Sequence, residues 1–350
     1  MGTGHVKRCQ SLGYALRKAG NEVHFVWRDQ GLDLAPWLNG FSSTQLPAER
    51  TQTPGMTFAE EMFAGTTNKI DAVQTLALLE AVQPDWLLVD HYAFDERWHR
   101  VAGVGPWSIA AIDDLADRPL AVDLLIDQNY DLDHQRKYAG VLSRETVILG
   151  GPRYAMLGPN YADVPVVEIS ENVDSIGVFM GGSDPLDASS VVLDALDMLP
   201  FSGRVEVVTT VANPHRDRLR ERCRMQPNWL LSVDLPDLAG FYSRHGLHVG
   251  AGGSTTWGRC RLGVPALAII CAENQREVVH LLVEAGVQFG LDAPDRDQIA
   301  AAISSLLCDF DVRRRLSDRA SILVDGHGAE RIAECLLSCR AISSNRDILT

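Results

Sequence analysis

Two doubly wound parallel-sheet domains of the α/β class are predicted by three features of this chain. Short β-branched apolar runs alternate with longer segments of helical period, the signature of parallel strands joined by crossover helices. The alternation occurs twice, on either side of a Gly- and Pro-punctuated stretch. Small-residue or acidic loops follow the apolar runs, at the strand ends where open α/β sheets bind ligands.

In the first series, Val6, Cys9, Leu12, Leu16 and Ala19 recur at helical spacing, Gly20-Asn21 ends that helix, and Val23–Trp27 reads as a strand. Region 36–68 has weak periodicity and reads as a long loop with a short helix. Asp85–Asp90 (DWLLVD), Ser108–Ile112 (SIAAI), Val122–Ile126 and Val147–Leu149 follow as strands. Gly150-Gly151-Pro152 and Gly158-Pro159 then interrupt the pattern. The expected organisation is an N-terminal domain over 1–150, a linker over 151–171 and a second domain over 172–340. Within the latter, Ser175–Met180, Val205–Val211, Leu230–Val233, Leu247–Gly250 and Ala266–Ile270 read as strands. Two such Rossmann-like halves constitute a GT-B type architecture, with a ligand expected in a cleft faced by the carboxyl ends of both sheets. A Gly-x-Gly-His turn of this kind normally follows a central strand. The chain opens on that turn, so the first strand of the N-terminal domain is expected to be missing.

Composition narrows the function. A chain of 350 residues with 46% hydrophobic and 22% charged residues can bury two cores, which excludes wholesale disorder. The net charge of −14 opposes nucleic acid and anionic membranes as partners. A phosphorylated small ligand remains compatible, because local N–H groups and arginines act at shorter range. Seven cysteines without a Cys-x-x-Cys suggest reduced thiols and a cytoplasmic location. Cys335 and Cys339 are read as neighbours on one helix face, packed rather than metal-binding. No apolar run approaches a membrane span and no signal-peptide core is present. A monomer or weak homodimer with no metal, no redox cofactor and no membrane insertion is expected.

The residues that can carry chemistry lie at strand ends and at the opening helix. Gly4, His5 and Arg8 bring a small-residue turn, an imidazole and a guanidinium to one helix N-terminus, which suits phosphate or a reacting anion. His5 reads as a general base or as a capping residue. Asp90 and Tyr92 follow the DWLLV run. Asp113 and Asp114 follow SIAAI, where a helix-start pair more commonly caps than holds metal. Gly181, Gly182, Ser183 and Asp184 form one glycine loop, and Gly252, Gly253, Ser254 and Thr255 a second. Their N–H groups can approach an oxyanion, and Ser254 or Thr255 can cap the next helix. A tight turn explains either loop alone, whereas two converging loops favour a diphosphate cradle. Asn274 and Gln275 can bond a sugar or solvate their turn. There is no Walker A lysine, dinucleotide G-x-G-x-x-G or G-x-S-x-G elbow, which argues against ATPase, dehydrogenase and serine hydrolase readings.

The ordered set GTGHVKRC, VDHY, IDDLADR, DLLIDQN, GPRYAML, GGSDP, GAGGSTTW and NQ, across about residues 1–290, resembles one family. It is similar to the UDP-2,4-diacetamido-2,4,6-trideoxy-β-L-altropyranose hydrolases of pseudaminic acid biosynthesis, themselves related to GT-B glycosyltransferases. The resemblance implies metal-independent, inverting hydrolysis of the sugar C1–O bond with release of UDP. His5 would be the base, and Tyr92 with Asp90 would organise the sugar side. The GAGGST loop would hold the diphosphate with help from GGS, and Asn274-Gln275 would contact sugar or phosphate. A sugar-transferring GT-B enzyme and a non-catalytic nucleotide-sugar binder are the alternatives. The chain departs from the family pattern in lacking the strand before GxGH. It also carries Gly258 where the family has a Glu that contacts ribose in related sites.

Overall fold

The computed structural model describes residues 3–28, 34–35, 37–47 and 68–346. Its contacts divide into two compact units, Thr3–Met156 with Gly328–Thr350, and Leu157–His327.

The first unit begins with helix α1, Thr3–Lys18, followed by parallel strands β1 (His24–Arg28) and β2 (Ser42–Leu46). Strands β3 (Trp86–Val89), β4 (Ser108–Ile112), β5 (Leu124–Asp127) and β6 (Val147–Gly150) form a four-stranded parallel sheet in that order. Among the described residues, β1–β2 and β3–β6 are separate sheets. The period of two along β4 and β5 divides their side chains between two cores. Ala110, Ile112, Leu124 and Ile126 join Leu12 and Ala15 of α1. Ile109, Ala111 and Leu125 join Ala72, Trp98 and Ala102. β5 is buried along its whole length, as a parallel strand covered on both faces must be.

Two expectations are corrected here. The helix Gly328–Arg346, assigned above to the second domain through residue 340, belongs to the first unit. Its Ala329, Ile332, Ala333 and Leu336 complete the apolar cluster of Leu12 and Ile112. Within 36–68, Ser42–Leu46 is a strand rather than loop. SSTQL carries no apolar alternation because it is largely exposed, and pairing with β1 makes it a strand. Within the rest of that expected loop, residue 36 and residues 48–67, like the turn residue Gly2, lie outside the described residues.

The second unit holds β7 (Ser175–Phe179), β8 (Arg204–Thr209), β9 (Trp229–Val233), β10 (Leu247–Ala251), β11 (Ala266–Ile269) and β12 (Phe289–Leu291). They form one parallel sheet in the order β12-β11-β10-β7-β8-β9. The chain builds outward from β7 to β9, then returns to the other side of β7 with β10. The connections after β7 and β10 therefore leave toward opposite sides, and a crevice opens between their carboxyl ends. The two glycine loops occupy those ends. β12 escaped the sequence reading because FGL is three residues with a central glycine, and pairing with Leu267–Ile269 defines it.

Candidate functional site

Three residues of α1 meet one carboxylate. Positions 5, 8 and 9 share a helix face by their i, i+3 and i+4 spacing, and Asp90 follows β3 directly opposite. His5 Nδ1 lies 2.7 Å from Asp90 Oδ1, and Arg8 Nε donates to Asp90 Oδ2 at 2.7 Å. Arg8 Nη2 also donates to Oδ1, and the Cys9 thiol lies 3.4 Å from Oδ2. Burial alone would raise the Asp90 pKa, but the charge and hydrogen bonds of Arg8, then His5, hold it well below the usual carboxylate range. An ionised carboxylate only accepts, so the short contact from His5 requires the proton on Nδ1. Arg8 Nη2, 3.1 Å from the same nitrogen, is then a neighbour whose protons serve Asp90. In the neutral tautomer this arrangement leaves the lone pair on Nε2, and the side chain remains 17% exposed. Gly4 lies in the first turn of α1 itself.

The Tyr92 ring stands edge-on to His5, with centroids 5.0 Å apart. Its phenol is raised by burial and then by Asp114, so it stays protonated and able to donate. Asp114 Oδ2 accepts from Asn129 Nδ2 at 3.3 Å and lies 4.0 Å from Arg8 Nη1, and its carboxylate is the hydrogen-bonding neighbour of the Tyr92 phenol. His5, Arg8, Asp90, Tyr92, Asp114 and Asn129 thus form one polar cluster at the carboxyl ends of β3, β4 and β5.

Asp113 is turned away from it. Its carboxylate is fully buried, ion-paired to Arg118 at 2.8 Å and bonded to the Ala116 N–H at 2.9 Å. The sequence pair Asp113-Asp114 therefore divides, because adjacent residues at a strand end point to opposite sides. Asp113 shapes the loop and Asp114 faces the cluster.

Asp127 and Lys137 were missed by the sequence reading. Lys137 Nζ donates to Asp127 Oδ2 at 2.7 Å and to the Asp114 carbonyl at 3.0 Å, tying the β4 and β5 loops together. Burial works against the ammonium, yet Asp127 raises its pKa. Asp127 stood inside the quoted DLLIDQN run, whereas no local pattern connects Lys137 to it.

In the second unit the loops after β7, β10 and β11 are neighbours. Gln275 Oε1 accepts from Cys271 N at 2.9 Å, and the amide lies beside Gly252 and Gly253. Asp184 raises the Cys271 thiol further after burial, to about 11. Gly181, Gly182, Ser183, Ser254, Thr255 and the exposed Asn274 surround the same strand ends.

Three individual roles change. Asp184 is 1% exposed, and its two oxygens accept from Ala188 N and Ser189 N at 2.9 Å each, so it anchors a helix start. The Gly252 N–H is committed to the Ile269 carbonyl at 3.1 Å, which leaves ligand contact to the residues after it. Helix Thr256–Arg261 has no side-chain cap bond, contrary to the capping expected of Ser254 or Thr255. At Gly258 the structure supplies a reason for the missing side chain. A Cβ there would sit 2.6 Å from the Tyr161 hydroxyl and 2.9 Å from its ring.

No family model matches the chain. The spore coat polysaccharide biosynthesis protein SpsG of Bacillus subtilis is 27% identical over 198 residues, which is 55% of this chain and 58% of the relative. The match thus spans less than two thirds of that protein. Among solved structures, MurG of Acinetobacter baumannii superposes with a TM-score of 0.65 at 12% identity, covering 96% of each chain. LpCGTa in complex with UDP gives 0.69 at 13% identity, covering 97% of each. At such identities the likeness establishes the fold, which is GT-B. The chain is thereby related to a sugar-polymer biosynthesis protein and shares its architecture with glycosyltransferases.

Proposed function

We propose that the protein hydrolyses a UDP-linked diacetamido-trideoxy sugar at C1–O, releasing UDP and the free sugar for pseudaminic acid biosynthesis. The observation that carries this reading is the His5–Asp90–Arg8 constellation. A buried, ionised Asp90 fixes the Nδ1–H tautomer, so Nε2 can accept a proton from water as its oxygen attacks C1. The C1–O bond breaks with its electrons leaving on UDP, and the anomeric centre inverts. UDP is a stable leaving group, so the protein must chiefly position water and stabilise charge on the departing oxygens. Tyr92 and Asp114 would bind the sugar. The loops at 181–183 and 253–255, with Asn274 and Gln275, would hold the nucleotide.

The test is UDP release from that nucleotide sugar in ¹⁸O-labelled water. Label in the free sugar, with none in UDP, is expected, and His5→Ala should keep UDP binding while losing turnover. Unchanged turnover in a folded His5→Ala variant would remove His5 from the mechanism. The GT-B fold shared with MurG and LpCGTa favours one second reading, transfer of the sugar to an acceptor. Product formed only when an acceptor sugar or lipid is added would establish it.

A further inference from the structure

Arg259 is the most unusual charge in the second unit. It is 2% exposed, and among the described residues no carboxylate forms an ion pair with it. Nη2 donates to the Ala251 carbonyl at 3.0 Å and to Thr256 Oγ1 at 2.9 Å, the neutral Tyr242 phenol is its further polar neighbour, and among the described residues neither Nε nor Nη1 meets a carboxylate. Its neighbours include the phenols of Tyr161 and Tyr242, which burial keeps neutral against the pull of the guanidinium, and the imidazole of His248, which burial and then nearby positive charge keep neutral. A guanidinium so placed is costly unless an opposite charge compensates it.

Its position indicates where that charge comes from. A Cβ at Gly250 would lie 2.5 Å from Arg259 Nη1 and 2.9 Å from the Phe179 carbonyl oxygen. Glycine at 250 is therefore what lets the guanidinium lie against the end of β10, close to the end of β7. Ala251, which it bonds, leads directly into Gly252-Gly253, and Phe179 stands two residues before Gly181. The cation sits at the roots of both glycine loops.

We propose that Arg259 is a positioning residue that supplies, from beneath these loops, the fixed positive charge against which the second unit binds a nucleoside diphosphate. It does not touch the ligand. It holds the Ala251 carbonyl and Thr256 in place, and its field favours the diphosphate through a medium poor in screening water. The inference rests on the nucleotide reading of this unit and adds the origin of its preference for charge.

The experiment compares UDP and uridine binding by calorimetry for the full-length chain, Arg259→Lys and Arg259→Gln. Glutamine can still donate to Ala251 and Thr256 but carries no charge, whereas lysine keeps the charge. The preference for UDP over uridine should fall about tenfold or more in Arg259→Gln, with uridine affinity unchanged, and be largely retained in Arg259→Lys. A folded Arg259→Gln with undiminished preference overturns the proposal. Equal losses in both variants also overturn it, since they assign the effect to geometry rather than charge. Should Arg259→Gln not fold, hydrogen exchange of the wild-type chain with inorganic pyrophosphate decides. Protection at 179–184 and 250–257 supports the proposal, and unchanged exchange sinks it. Protection by pyrophosphate without any added affinity for UDP would refute the uridine nucleotide reading and leave Arg259 its role. UDP binding indifferent to Arg259 would do the reverse.

Discussion

Replacing Asp90 with asparagine tests the first unit's site most directly, because one atom change alters three interactions. The Asp90 side chain is 6% exposed and that of Arg8 is 7% exposed, so water compensates neither. In Asp90→Asn the buried guanidinium keeps only the more distant Asp114 oxygen, 4.0 Å away, among the described carboxylates. Two charge-assisted hydrogen bonds at about 1.5–3 kcal/mol each are weakened, and an orphaned buried charge costs about 3–5 kcal/mol. One Asn oxygen still accepts from Arg8, so a loss near the lower figure, about 3 kcal/mol, is expected by urea denaturation.

The loss should depend on pH. Asp90 titrates below its unfolded value, so its contribution is complete above about pH 4 and declines as the pH falls through the lower folded value. The gap between wild type and Asp90→Asn should therefore narrow in acid. Chemistry should suffer separately. The asparagine NH₂ can donate to His5 Nδ1, which moves the imidazole proton to Nε2 and blocks the base. UDP release should fall by about 10²–10⁴ while UDP affinity stays unchanged. A folded Asp90→Asn variant with turnover within about threefold of wild type would refute the tautomer argument.

Other consequences are equally open to measurement. His99 is 1% exposed, and burial followed by Arg118 lowers its pKa to about 4. Its neutral form therefore contributes stability above about pH 6.5 that is lost toward pH 4, amounting to about 3 kcal/mol. In His99→Gln that part of the pH dependence should disappear from urea midpoints, and an unaltered profile would disprove it. Gly258→Ala should cost about 1–3 kcal/mol through the clash with Tyr161, with recovery in a Gly258→Ala, Tyr161→Ala double variant; additive losses would count against the contact. Ile332→Ala should destabilise the first unit by about 2–5 kcal/mol, read as early hydrogen exchange in β4 and β5. Faster exchange confined to β7–β12 would contradict the assignment of that helix.

What the sequence alone determined follows from short-range physics. Alternating apolar runs reported the buried strands, since β4 and β5 are covered on both faces and tolerate little but Ile, Leu and Ala. Strand-end position singled out Asp90, Tyr92, Asp114 and the glycine loops as candidates, and the start of the opening helix singled out His5, because open parallel sheets bind ligands at their carboxyl ends and helix N-termini favour anions. What only the tertiary structure decided depends on partners remote in the chain. SSTQL becomes a strand by pairing with β1, and the helix from Gly328 returns to the first unit because Leu12 and Ile112 need its apolar face. Asp113 and Asp184 read as site residues, yet Arg118 and two backbone N–H groups of a helix draw them inward. Nothing in the local sequence singles out Arg259, whose burial depends on the room that Gly250 leaves, since burial of a charge is set by the surrounding chain and not by its neighbours in sequence.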